Sequence, residues 1–226
     1  MTTIPKSVFT FLKKLKQNNS REWMDEHRKE YQSNESILKQ FYSDVEAALN
    51  VTDEISKRKV FRINRDIRFS KNKTPYNVHR SVSFSRAGAH RRGSYYLRIE
   101  PGNSRMAGGF FGPEPADLLR IRKEFEIDAS EIRAILNQSE FQQAFGGFNQ
   151  EYAVKTAPKG FSKEDSNIDL IRLKNYVVSH SFTDKEVLAP DFKKNLIHHY
   201  LLLRPYFDYM SSVLTTDLNG VSLLED

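Results

Sequence analysis

Arg62, Arg65 and Arg68 are spaced three residues apart, Asp66 sits among them, and Lys73 and Tyr76 follow closely. Guanidinium groups present planar donor forks that match phosphate or carboxylate oxygens, and an ammonium adds a mobile point charge. Asp66 is a candidate acid or base here, and Tyr76 a candidate proton donor or stacking platform. The charge around these residues is lopsided. From Lys57 to Arg92 there are twelve Lys and Arg side chains and one acid, Asp66, a local +11 in a chain whose net charge is +6, which leaves −5 for the remainder. A positive footprint this concentrated marks where an anion should bind. Lys159, in Lys155-Thr-Ala-Pro158-Lys159-Gly160, joins Arg62, Arg65, Arg68, Lys73 and Tyr76 in the candidate ligand-binding set.

Three readings of this constellation stay open. In the first, the chain is a basic binding module for a phosphate-bearing ligand, a small molecule or a nucleic acid, with Tyr76, Phe84, Tyr95 and Tyr96 interleaved among the cations for stacking. In the second, it is an enzyme acting on a phosphorylated or carboxylated small molecule, with Asp66 as acid or base, the arginines as an anion clamp and Tyr76 as proton donor. In the third, the arginines form a structural clasp with acids such as Glu22, Asp25, Glu26 or Glu30. The residues name no cofactor and leave open whether a reaction is catalysed.

Other chemistry is less well supported. Gly108-Gly109-Phe110-Phe111-Gly112-Pro113-Glu114 reads as a glycine-rich bend before a helix, a place where free N–H groups receive anions, but its spacing matches neither a Walker loop nor a dinucleotide fingerprint. The six histidines form no metal-binding pattern, so no metal site is expected. His27 reads as an interior histidine on the Trp23-to-Tyr31 stripe. No GxSxG motif is present.

The elements that must position these residues follow from periodicity. Val8, Phe11, Leu12 and Leu15 predict a helix over 5–17, and Asn19 with Glu22 predicts a capping box for a second helical run to about residue 50, with a break at Ser33-Asn34. Phe61, Ile63, Ile67 and Phe69 alternate with polar residues, which predicts a strand in which Arg65 points inward. Further strands are expected over 81–86, 94–100 and 104–111, joined as an antiparallel meander. Helices are expected from Leu118 to Phe125, from Ser130 to Leu136 and over 168–173, an extended segment over 152–161, a late strand over 176–182, a capping box at Thr183 and Glu186, and a helical pair over 191–214 broken near Pro205. The architecture predicted is α+β, a central antiparallel sheet flanked by N-terminal and C-terminal helices, in one domain over 1–226: helices about 5–50, a basic sheet-rich core about 59–112, and helices with the late strand about 114–216.

The run Arg62, Arg65, Asp66, Arg68, Phe69, Asn72, Lys73 and Tyr76 resembles the signature of a bacterial and fungal family catalogued as domain of unknown function 2461. The resemblance extends to Asn18-Asn19-x-Arg21-x-Trp23, to Gly108-Gly109 with Pro113, and to Pro158-Lys159-Gly160, so it covers nearly the whole chain. It implies membership and carries over no catalytic residue, because no reaction is assigned to that family.

Composition narrows the class. With 226 residues, 38% of them hydrophobic, the chain can fill a substantial core. The absence of cysteine excludes disulfides, thiolate metal sites and cysteine nucleophiles, and fits a reducing compartment. No apolar run approaches the roughly 20 residues of a membrane span, and Met1-Thr-Thr-Ile-Pro-Lys lacks the apolar stretch of a signal peptide. A cytoplasmic protein without a transmembrane segment, bound to an anionic partner, is the expectation. Its oligomeric state is open.

Overall fold

An amphipathic pattern with lysines on one side and large apolar residues on the other fixes how the chain begins. The computed structural model describes residues 2–88 and 90–224. Helix α1 (Lys6–Gln17) buries Val8, Phe9, Phe11, Leu12 and Leu15, and its last turn carries Lys14 and Lys16, which complement the negative end of the helix dipole. Helix α2 (Arg21–Glu26) is capped by Ser20, whose hydroxyl accepts from the Trp23 N–H at 3.2 Å. The expected cap was Asn19, one residue earlier; its amide is committed elsewhere. Helix α3 (Arg28–Leu49) follows a break at His27, where the imidazole stacks on Trp23 at 4.0 Å. No break occurs at Ser33-Asn34. The buried Asn34 amide donates to the Glu30 carbonyl at 3.0 Å and accepts from the Ser7 hydroxyl at 2.8 Å, so the helix continues through it.

Five strands, β1 (Ile55–Val60), β2 (Arg80–Arg86), β3 (Ser94–Ile99), β4 (Ser104–Phe110) and β5 (Tyr176–Phe182), form an antiparallel sheet in the order β1-β2-β3-β4-β5. Between β4 and β5 lie α4 (Pro115–Ile127), α5 (Ser130–Leu136), α6 (Ser139–Phe145) and α7 (Ile168–Ile171). After β5 come α8 (Asp184–Val187), α9 (Phe192–Leu202) and α10 (Arg204–Thr215). The Thr183 and Glu186 capping box is present, and Pro205 lies in the first turn of α10, where its missing N–H costs nothing. The segment 152–161, expected to be extended, instead leaves a 3₁₀ turn at Gln150–Tyr152 and runs irregularly, held by the bridge of Ala153 to Leu173. Helix α6 has no counterpart in the expectation from sequence. Among the described residues no helix is long and apolar enough to cross a membrane.

The strand predicted through the basic signature does not form. β1 ends at Val60, and residues 61–79 make an irregular loop in which only Asn64 pairs, with Tyr76. The alternation holds at Ile63, which is buried, and fails at Phe69, which is 95% exposed. Side chains within the loop take its backbone groups in place of a neighbouring strand.

The chain divides into two compact units. The first comprises Met1–Phe84, Tyr96–Met106 and Ser181–Ile197. In it α1 packs on α3, Phe41 stacks on Phe192 at 5.8 Å, and Phe182 meets Phe192 edge-on. Arg80 and Glu35 are both buried and joined by two hydrogen bonds of 2.7 Å. The second unit comprises Ser85–Tyr95, Ala107–His180 and His198–Asp226. There α10 packs on α4 and α5, Tyr95 meets both Tyr200 and Phe207, and the Tyr206 hydroxyl donates to the Tyr176 carbonyl at 2.5 Å. Gly108 and Gly109, read from the sequence both as the end of a strand over 104–111 and as the start of a bend, lie within β4. A Cβ on Gly108 would stand 2.2 Å from Leu203 Cδ1, and one on Gly109 would stand 2.1 Å from the Tyr176 carbonyl oxygen. These glycines are there for close packing.

Candidate functional site

Loop 61–79 is held by its own polar residues and by one residue of the α1–α2 junction. Asn19 makes a two-point clasp on Tyr76: its amide N donates to the Tyr76 carbonyl at 2.9 Å, and its oxygen accepts from the Tyr76 N–H at 3.0 Å. That pair reproduces the contact a neighbouring strand would supply. On the loop's other side the Arg65 N–H donates to the Pro75 carbonyl at 2.8 Å and the Asn77 N–H to the Ile63 carbonyl at 2.7 Å. Asn72 accepts from both the N–H and the hydroxyl of Thr74 at 2.9 Å, which shapes the turn ahead of Pro75.

Within this frame the signature side chains separate into two groups. Arg65 is half-buried and donates to the Thr74 carbonyl at 3.0 Å, to the Thr74 hydroxyl and to the Ser70 hydroxyl at 3.4 Å. All three partners are neutral. Together with Tyr76, Arg65 lines a cleft of about 310 Å³ whose other walls are Lys16, Asn19, Asn72, Thr74, Asn77, Val78 and His79. No carboxylate is among the lining residues. Burial lowers the pKa of His79 from 6.5 to about 4, helped by the charge of Arg98 and, to a smaller degree, of Arg80 and Arg105, while Glu100 opposes the shift. His79 is therefore a neutral imidazole at neutral pH, in a positive field.

The second group is turned to other tasks. Asp66 accepts from the Arg68 guanidinium at 2.7 and 3.0 Å and from the Arg68 N–H at 3.2 Å, and these contacts, with Arg62 nearby, hold its carboxyl below the usual range. Lys73 bends back to the carbonyls of Ile67 at 3.0 Å and Arg68 at 3.5 Å. Arg62 is exposed, and its carbonyl accepts from the Asn77 amide at 3.3 Å. None of these four lines the cleft. Lys159 belongs to the second unit, where it lines a different cavity.

Three of the four acids named as internal partners for the arginines, Glu22, Asp25 and Glu30, are engaged elsewhere or locally. Asp25 pairs with Arg28, and Glu30 with Lys14 at 3.6 Å. Glu22 has its pKa lowered by a backbone N–H and by Ser20. The buried acid that does pair with a basic-segment arginine is Glu35, with Arg80.

Two further cleft residues carry a signal in the sequence. Asn19 and Asn72 lie inside the segments that carry the family resemblance; Asn19 clasps the Tyr76 backbone and Asn72 holds Thr74. Lys16, Asn77 and His79 carried no such signal, because they meet Arg65 only through folding. Among the described residues no group of three or more His, Cys, Asp or Glu side chains is placed to hold a metal ion.

No curated protein and no solved structure matches the chain. A family model described as a conserved hypothetical protein (DUF2461) matches residues 7–209, most of the chain, and the chain belongs to that family.

Proposed function

We propose that the chain is a basic binding module and that the cleft around Arg65 holds a phosphate-bearing anion. The observation that carries this reading is Arg65 itself: a half-buried guanidinium whose partners among the described residues are neutral, in a cleft that adds Lys16, three amides and an imidazole and has no acid in its lining. A cation partly removed from water without a counter-charge is costly, and a bound anion offsets that cost. Ionised phosphate oxygens are strong hydrogen-bond acceptors. Lys16, Arg65, the Asn72 amide N–H and one N–H of neutral His79 are the donors that suit them. The volume lies at the small end of ligand sites, so a phosphate with a modest attached group is the size that fits. Nucleic acid as the source of that phosphate is supported by Phe69, 95% exposed with the Arg68 guanidinium 5.9 Å from its ring centre, a surface on which a base stacks.

For Asp66, Arg68 and Lys73 the clasp reading has the better support, since their polar groups bond within the loop. They shape the site and do not line it.

Calorimetry with inorganic phosphate and a nucleoside monophosphate, and anisotropy with a labelled single-stranded oligonucleotide, test the proposal. Arg65→Ala and Lys16→Ala are each expected to weaken binding at least about tenfold, roughly 1.4 kcal/mol, and log affinity is expected to fall with log salt. Binding of the oligonucleotide alone assigns the phosphate to nucleic acid. Unchanged affinity in both variants, or no binding of any of the three, ends the proposal.

A further inference from the structure

The second unit contains a larger cavity, about 620 Å³, that shares no residue with the cleft. Three cations are among its lining residues: Arg122 from α4, Lys159 from the irregular chain after Tyr152, and Lys174 just before β5. Leu118, Val154 and Pro158 add apolar surface to the same lining. Its lining has no carboxylate, and none of the three cations forms an ion pair among the described residues.

The wall is built and held in place. Arg122 donates from Nη2 to the Leu173 carbonyl at 3.0 Å, and its Nε is buried with no hydrogen-bond partner among the described residues. The Val154 segment is fixed by a reciprocal pair with Arg172, N–H to carbonyl at 2.9 Å and guanidinium Nε to carbonyl at 2.6 Å. The Asn175 side chain accepts from the Gly112 N–H at 2.6 Å, which ties the chain ahead of α4 to the chain ahead of β5. Three cations and apolar side chains lining one space suit a ligand that carries both an anionic group and hydrocarbon.

We propose that this cavity is a second binding site, for a small organic anion carrying a carboxylate or phosphate monoester on an apolar body. Arg122, Lys159 and Lys174 receive the anionic oxygens, and Leu118, Val154 and Pro158 cover the hydrocarbon. The site is independent of the Arg65 cleft and stands if that reading fails.

Amide chemical-shift titrations of the full chain with phenyl phosphate, benzoate, inorganic phosphate and benzyl alcohol test it. The two aryl anions are expected to move the amides of Thr156, Ala157 and Asn175, and to bind at least about tenfold more tightly than benzyl alcohol or inorganic phosphate. Which aryl anion binds more tightly separates phosphate ester from carboxylate. Lys159→Ala with Lys174→Ala, both at exposed positions, is expected to cut that affinity at least about tenfold with an unchanged spectrum elsewhere, and Arg65→Ala to leave it unaltered. Equal binding of benzyl alcohol and the aryl anions, full affinity in the double variant, or no shift at those amides overturns the proposal.

Discussion

Replacing His79 with glutamine isolates the electrostatic character of the cleft. The folded chain holds the His79 pKa at about 4 against an ordinary 6.5, through burial first and the charge of Arg98 next. A depressed histidine pKa means that the unfolded chain binds the proton more readily. Stability from this source is therefore intact at neutral pH and falls as pH drops from about 6.5 toward about 4. Between about pH 7 and about pH 5 the two pKa values correspond to a loss of about 1.8 kcal/mol, and the partial exposure of His79 to water reduces that to about 1 kcal/mol. For a domain of this size 1 kcal/mol is about 2–4 °C in Tm. The native chain is expected to lose about that much more Tm than His79→Gln when the pH is lowered over this range, the other histidines being common to both proteins. Phosphate at the lower pH is expected to narrow the difference, because an anion in the cleft favours the imidazolium. Parallel losses in the two proteins, or an imidazole resonance of His79 titrating near 6.5, would refute the picture of a positive, partly desolvated cleft.

Two further outcomes test the framework around the sites. Asn19→Ala removes both hydrogen bonds to the Tyr76 backbone and is expected to cost about 2 kcal/mol in urea denaturation, with faster hydrogen exchange at Tyr76 and Asn77 as the sign that the loop has loosened. Gly109→Ala places a methyl 2.1 Å from the Tyr176 carbonyl and 2.9 Å from Val177 Cα at φ +141°, so β4 and β5 have to part; a loss of at least about 3 kcal/mol is expected, and a Tm within about 2 °C of the native value would contradict that close approach.

Local pattern decided much of this protein. The periodic apolar residues of α1 and α3, the alternation in β2 and β3 and the Thr183 capping box each carry their own structural instruction, because side-chain spacing dictates which face is buried. Charge concentration also marked the loop that contains Arg65 and Tyr76. Tertiary structure decided what those residues do. Periodicity placed Arg65 in a strand, but a strand needs a neighbour, and the loop met its backbone needs with Asn19, Arg65, Asn72 and Lys73. Asn19 and Tyr76 are 57 positions apart, and Glu35 and Arg80 are 45 apart, distances at which spacing carries no information about contact. The same limit hid the cleft: Lys16, Arg65 and His79 become neighbours only when a helix end, a loop and the start of a sheet are packed together. A charge count reports how many cations lie in a segment. Only the folded chain determines which of them keep an internal partner and which face a space an anion can enter.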